Sequence, residues 1–157
     1  MITGHHYQNA YICEDIEAGI ALFRTRADIG DIPVIDVDHP LWTPQGMKRV
    51  ASRLAFIWIG DLQYELIQPI ADETGIYANY ADNGGSLHFH HVCMRVDDWS
   101  DFTARVARQD LPVVLKRESA DSPLNFLYLD GRSFCGHYLE YVWCTDEMWA
   151  HLGGPAR

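Results

Sequence analysis

The sequence contains an internal repeat, and this repeat constrains the fold more than any other feature. The segments YICEDIEAGIALF and MRVDDWSDFTARV align at a constant offset of 83 residues, which pairs Asp15 with Asp98 and Phe23 with Val106. In each segment an alternating strand pattern runs into a helical pattern, with the aspartate at the expected helix N-cap. One unit alone would leave a sheet with an exposed face, so we expect the two copies to pair around a cleft.

Three more strands follow the helix in each copy. Apolar runs bounded by turn residues predict them at 32–37 and in both halves of VASRLAFIWIGDLQYELIQP, then at 112–118, 125–130 and 136–143. This order predicts an α+β fold of two βαβββ modules, about 7–69 and about 88–143. A short C-terminal helix at 145–152 follows, and the whole chain, 1–157, is predicted to form one domain.

The connecting segments carry separate expectations. Gly60 and Asp61 are suited to a hairpin turn between the two halves of the long apolar run. The polar, proline-containing segment 38–53 is long enough to act as a lid over the cleft.

Strand alternation turns His90 away from the cleft, and His88 precedes the predicted strand, so both are expected to have structural or surface roles.

Composition limits the classes of function. The chain is 48% hydrophobic and 22% charged, which is typical of a globular protein. Its net charge of −10 argues against a nucleic-acid surface, and no stretch approaches the roughly 20 apolar residues that cross a membrane. Without a signal-peptide pattern, we expect a cytoplasmic protein. The four cysteines form no C-x-x-C pair, and we interpret them as reduced packing residues.

Four side chains that can bind a metal occupy matching places in the two copies. The offset pairs His91 with Gln8, and Glu65 and Glu140 lie in the last strand of their respective copies. Strand alternation turns Gln8 and His91 toward the cleft. A carboxylate inside a final strand is costly to bury unless it meets a cation, so the sequence predicts a metal site in the cleft.

The segments QNAYICED, HVCMRVDD, YELIQP and GHYLEYVW resemble the vicinal oxygen chelate superfamily, in particular its glyoxalase-like branch with methylmalonyl-CoA epimerase. The resemblance covers about residues 7–143. It implies that Gln8, Glu65, His91 and Glu140 hold one divalent metal ion: Zn, Ni, Co, Mn or Fe. It also implies an isomerase, epimerase or lyase that abstracts a proton next to a metal-chelated carbonyl of a small organic substrate. Glu140 is the first candidate for the base and Glu65 the second.

Four further residues are candidates for contact with the substrate: Arg95, His6, Ile12 and Cys93. Arg95 and Cys93 share the strand face of His91, and the other two lie on the cleft face of the first strand. Ile12 stands where glyoxalase I has an arginine that helps to hold glutathione, so glutathione is not favoured. Arg95 can hold an acidic group of the substrate or form an ion pair with a cleft carboxylate.

Two alternative functions and the nature of the partners stay open. An extradiol-type dioxygenase needs two histidines and one carboxylate; the first histidine would fall at Gln8, although His6 is near. A bleomycin-resistance-like protein would bind a small molecule without a metal, which the four filled positions oppose. Aromatic side chains favour an aromatic or bulky apolar substrate, and an acyl thioester is the other candidate. Members of the superfamily pair their modules within one chain or across two, and we expect a homodimer.

Overall fold

The computed structural model describes residues 3–155. Its elements are β1 (His5–Ile12), α1 (Ile16–Arg24), β2 (Val34–Thr43), β3 (Gly46–Ile59), β4 (Leu62–Asp72), a 3-10 helix (Ile76–Ala78), β5 (His88–Arg95), α2 (Trp99–Val106), β6 (Val113–Arg117), β7 (Leu124–Leu129), α3 (Arg132–Cys135), β8 (Tyr138–Cys144) and α4 (Asp146–His151). The order of one strand, one helix and three strands therefore occurs twice, as the repeat predicts.

Within residues 3–155 the eight strands form one closed sheet in the order β1-β4-β3-β2-β6-β7-β8-β5. The two modules join along the antiparallel pair β1 and β5, and again where Trp42 of β2 pairs with Lys116 of β6. In each module the first strand is parallel to the last. The predicted α+β fold of paired βαβββ modules is confirmed, and the two modules of a single chain enclose the interior.

The two long helices begin at the predicted aspartates. Asp15 Oδ1 accepts hydrogen bonds from the backbone of Glu17 and Ala18, and Asp98 Oδ1 accepts one from Asp101. Each helix packs on the outer face of its own module, through Ile16, Ile20, Ala55, Ile57 and Leu66 for α1 and through Phe102, Val106, Leu127, Leu129 and Tyr141 for α2. The other face of these strands is therefore left to form the interior of the closed sheet.

Two β-bulges interrupt the pairing of β1 with β5. Tyr7 has no residue opposite it in β5, and His90 has none opposite it in β1. A bulge adds one residue to a strand and redirects side chains, so both members of each pair, Tyr7 with Gln8 and His90 with His91, are buried. The expectation that His90 faces away from the cleft is wrong for this reason. The two bulges lie at the 83-residue offset of the repeat.

Segment 38–53 is not a lid. It comprises the end of β2 and the beginning of β3, which pair along a continuous antiparallel hairpin. The turn ends at Gly46, whose φ of 109° favours glycine. Pro40 is tolerated inside β2 because this strand meets its other neighbour, β6, at a single pair of residues and is otherwise an edge strand. Gly60 and Asp61 do form the predicted turn, between β3 and β4.

Helix α4 follows β8 and is held against the sheet by aromatic and polar contacts. The Trp149 ring lies against the rings of Tyr7 and Trp58, with centroid distances of 4.9 and 5.7 Å. Trp58 Nε1 also donates a hydrogen bond to the Leu152 carbonyl at 2.8 Å. None of the four cysteines is in a disulfide; Cys13, Cys93 and Cys144 are buried, as expected of packing residues, whereas Cys135 is exposed. Among residues 3–155 no helix is both long and apolar enough to cross a membrane.

Candidate metal site

The four predicted metal ligands lie on two neighbouring rows of paired residues that cross β4, β1, β5 and β8. One row is Gln63, Gln8, Cys93 and Glu140, and the next is Glu65, Ala10, His91 and Tyr138. Gln8 and His91 occupy the central strands, where the modules meet, and Glu65 and Glu140 occupy the strand on either side. The approximate two-fold relation between the modules thus brings one carboxylate from each toward the same point.

His91 lies between the two carboxylates. Its Nε2 atom is 2.9 Å from Glu140 Oε2 and 3.5 Å from Glu65 Oε2. Ligand atoms of the three residues all lie within 4.8 Å of one another. The His91 side chain has no exposed surface, and those of Glu65 and Glu140 are 9% and 13% exposed. One imidazole and two carboxylates in this arrangement form a possible site for a divalent metal ion.

The charges at this site favour a cation. Burial lowers the pKa of His91, but the hydrogen bonds to Glu140 and Glu65 outweigh burial and raise the pKa to about 9. Burial raises the pKa of Glu65, and the contact with His91 offsets that effect in part. Two buried carboxylates therefore retain a proton on His91 when no other cation compensates them.

Gln8 offers a fourth donor atom. Its Nε2 donates a hydrogen bond of 2.6 Å to Gln63 Oε1, whereas Gln8 Oε1 is buried without a hydrogen-bond partner. An unpaired buried amide oxygen is costly, and coordination of a cation would satisfy it. The donor set of one imidazole, two carboxylates and one amide oxygen fits Zn²⁺, Ni²⁺, Co²⁺, Mn²⁺ or Fe²⁺.

A cavity of about 390 Å³ adjoins the carboxylates of Glu65 and Glu140. Most of its wall is apolar and includes Ile35, Val37, Leu41, Val50, Leu54, Phe56, Leu124, Phe126 and Val142. Ser52 also lines the cavity, and its hydroxyl is buried without a partner. Ser52 was not predicted because segment 38–53 was interpreted as a lid. No local sequence pattern shows that a serine faces the interior, since this depends on the register of its strand.

Arg95 is buried against α4. Its guanidinium contacts Asp146 Oδ1 at 3.1 Å and the carbonyl oxygen of Cys144 at 3.3 Å, and it lies 4.4 Å from the centroid of the Trp149 ring. These contacts connect β5 to α4. The ion pair is made with a helix residue and not with a carboxylate of the candidate metal site.

The other predicted substrate contacts lie at three different places. His6 is exposed, and its Nε2 lies 2.9 Å from Asn9 Oδ1, because the bulge at Tyr7 separates it from the face of Gln8. Ile12 belongs to the interior apolar cluster, and Cys93 Sγ lies 3.6 Å from the Tyr7 hydroxyl. Among the described residues, the cavity wall includes neither these three nor Arg95. Their contact with a substrate stays a prediction.

His90 lies beside His91, and the sequence does not predict this position. Its Nδ1 lies 2.9 Å from Nδ1 of His91, and its Nε2 lies 3.0 Å from the carbonyl oxygen of Ile76. Burial and, to a smaller extent, the neighbouring His91 lower the pKa of His90 to about 3. The two adjacent histidines are visible in HFHHVC, but the sequence does not show the bulge that brings their rings together.

Comparison with known protein families identifies the family of this chain. The model of the Glyoxalase/Bleomycin resistance protein/Dioxygenase superfamily matches residues 7–126. The chain belongs to this superfamily. The resemblance inferred from the repeat is therefore confirmed. A comparison with curated proteins finds no match.

Solved structures share the fold at low sequence identity. A variant of Streptomyces coelicolor methylmalonyl-CoA epimerase in complex with 2-nitronate-propionyl-CoA is 17% identical with a TM-score of 0.67, over 92% of this chain and 97% of that one. Methylmalonyl-CoA epimerase from Mycobacterium tuberculosis is 19% identical with a TM-score of 0.62, over 95% and 93%. A hypothetical protein from Bacillus halodurans is 14% identical with a TM-score of 0.60, over 92% and 96%.

Proposed function

We propose that this protein is a metal-dependent enzyme that removes the proton next to a carbonyl group of a small organic substrate, as an isomerase, epimerase or lyase. The observation that carries the proposal is the convergence of Glu65 and Glu140 on Nε2 of His91 beside an apolar cavity. Membership of the superfamily and the fold of the methylmalonyl-CoA epimerases support it.

The proposed metal ligands are Glu65, His91 and Glu140, with Gln8 Oε1 as the fourth donor. When bound, a divalent cation would polarise the substrate carbonyl and make the neighbouring carbon more acidic. The chain itself supplies the apolar cavity that excludes water and the carboxylate that accepts the proton.

Glu140 is the proposed base, with Glu65 as the second candidate. A carboxylate oxygen takes the proton from the carbon next to the carbonyl, the electron pair of the C–H bond forms a double bond to the carbonyl carbon, and the π pair of the carbonyl moves to its oxygen. Return of a proton to the opposite face of that carbon completes an epimerisation. In a substrate with a hydroxyl group on that carbon, return of the proton to the former carbonyl carbon, with transfer of the hydroxyl proton to the former carbonyl oxygen, completes an isomerisation. Both carboxylates line the cavity, so a substrate bound there would lie beside either candidate base.

The proposed substrate is an aromatic molecule or an acyl thioester with an apolar acyl group. The mostly apolar wall supports both, and 2-nitronate-propionyl-CoA and methylmalonyl-CoA are the ligands of two of the structurally similar epimerases. The unpaired hydroxyl of Ser52 is available to a polar atom of the bound molecule. Homodimer formation stays a prediction.

The donor set weighs against the dioxygenase alternative. His6, the candidate for a second imidazole ligand, is exposed outside the cavity and contacts Asn9. One histidine with two carboxylates differs from the set of two histidines and one carboxylate in ring-cleaving iron enzymes.

A matched pair of variants tests the proposal. Incubation with methylmalonyl-CoA or a 2-hydroxyacyl thioester in D₂O should replace the proton next to the carbonyl by deuterium, observed by NMR. Glu140→Gln keeps an amide oxygen as a donor but cannot accept the proton, so we expect exchange to slow by about 10²- to 10⁴-fold. Loss of exchange in Glu65→Gln alone would assign the base to Glu65. Unchanged exchange in both variants of a protein that exchanges these thioesters would contradict the mechanism.

A further inference from the structure

We propose that His90 is a positioning residue that determines which nitrogen of His91 carries a proton and thereby keeps Nε2 of His91 directed to the cation. The inference rests on the metal site of the proposed function. It concerns a residue that makes no contact with the carboxylates in the described structure and would act only through its neighbour.

The proton positions follow from one carbonyl group. The oxygen of Ile76 can only accept a hydrogen bond, so His90 Nε2, at 3.0 Å from it, carries a proton. A neutral imidazole carries a single N–H, so His90 Nδ1 is an acceptor. The atom that faces it at 2.9 Å is Nδ1 of His91, which must therefore donate. Only Nε2 of His91 is left to face Glu140 and Glu65.

The surroundings of His90 hold this arrangement in place. The residue is 1% exposed, and its ring lies against the rings of Tyr77, Tyr128 and Tyr138, at centroid distances of 5.3, 6.3 and 4.9 Å. Its hydrogen-bond partners are a carbonyl and an imidazole, so no carboxylate among these contacts stabilises a second proton. The bulge supplies the geometry, since regular alternation would place the two rings on opposite faces of β5.

The carbonyl group of Ile76, which accepts the hydrogen bond from His90, is itself held in place. Ile76 begins the 3-10 helix between β4 and β5. The carboxylate of Asp72 accepts hydrogen bonds from the backbone N–H groups of Gly75 at 3.0 Å and Tyr77 at 2.9 Å, on either side of Ile76. The order of contacts is therefore Asp72, the 3-10 helix, His90 and then His91. Partners of this kind orient a ligating histidine and typically change metal affinity by about 10- to 100-fold when lost.

Three substitutions of His90 separate positioning from packing. The amide oxygen of Asn can occupy the place of Nδ1 and accept from His91, so we expect His90→Asn to bind Zn²⁺ within a few-fold of the wild type. The longer Gln can keep the bond to Ile76 but offers His91 no acceptor, and Phe offers neither contact. We expect His90→Gln and His90→Phe to bind Zn²⁺ about 10- to 100-fold more weakly. Tyr138→Phe, which alters another group beside the same ring, is the packing control and should keep the affinity.

The hydrogen bond between the two rings can be observed directly in the wild-type protein. With ¹⁵N-labelled histidine, NMR should show a scalar coupling across the bond between Nδ1 of His91 and Nδ1 of His90, with the proton on His91. Absence of this coupling in the folded protein, or equal Zn²⁺ affinity of the wild type and the Asn, Gln and Phe variants, would overturn the inference. Failure of the wild type to bind Zn²⁺, with the coupling present, would instead contradict the proposed function.

Discussion

Metal binding should depend on pH because a cation must displace the proton on His91. The hydrogen bonds from Nε2 to Glu140 at 2.9 Å and Glu65 at 3.5 Å raise the pKa of His91 to about 9, against an ordinary value of 6.5. A metal ligand must be deprotonated, so the proton competes with the cation at every pH below that pKa. pH 7 lies about two pH units below this pKa. At pH 7 the competition therefore makes the apparent affinity for the cation about 100-fold weaker than it is for deprotonated His91, which corresponds to about 2.7 kcal/mol. The affinity should rise about tenfold per pH unit and level off near pH 9.

The assay is a titration of the metal-free protein with Zn²⁺ against a competing chelator, between about pH 6 and about pH 8.5. Calorimetry in two buffers of different ionisation enthalpy counts the protons released, and we expect about one per cation. His5→Gln is the control, since it removes an exposed histidine that contacts Asp97 and should leave the pH dependence unchanged. An affinity that is constant over this range, with no proton released, would refute the argument from His91.

Two further predictions concern the N-cap of α2 and the contacts of Arg95. Asp98→Ala removes the N-cap of α2 and should lower the free energy of unfolding by about 1 kcal/mol in a denaturant titration; a change below about 0.3 kcal/mol would contradict the capping role. Arg95→Met breaks the contacts with Asp146 and Cys144, so we expect a lower melting temperature, faster proteolysis at α4 and unchanged Zn²⁺ affinity. Loss of Zn²⁺ affinity in the folded variant would place Arg95 in support of the metal site instead.

Local patterns predicted the features of the fold that depend on local chemistry. The caps at Asp15 and Asp98 and the turn at Gly60 and Asp61 follow from residue types at fixed positions. The repeat was equally informative, because a fixed offset compares the two modules without knowledge of pairing. It paired His91 with Gln8, and the order of strands within each copy added Glu65 and Glu140 as members of the two last strands.

The features that the sequence did not predict depend on pairing between distant strands. A bulge at His90 reverses the alternation around it, and no residue type announces which position of HFHHVC is the extra one. The same effect moved His6 off the face of Gln8. Pro40 and its polar neighbours suggested a loop, but pairing with β3 imposes a strand because the backbone groups find partners there.

The central claim is that Glu65, His91 and Glu140 hold a divalent cation, and elemental analysis of the purified protein tests it most directly. After exposure to Zn²⁺, Ni²⁺, Co²⁺ or Mn²⁺ and removal of the excess, we predict about one metal ion per chain in the wild type and in His5→Gln, and almost none in folded His91→Ala. A folded wild-type protein that retains none of these ions, or a His91→Ala variant that retains as much as the wild type, would contradict the account.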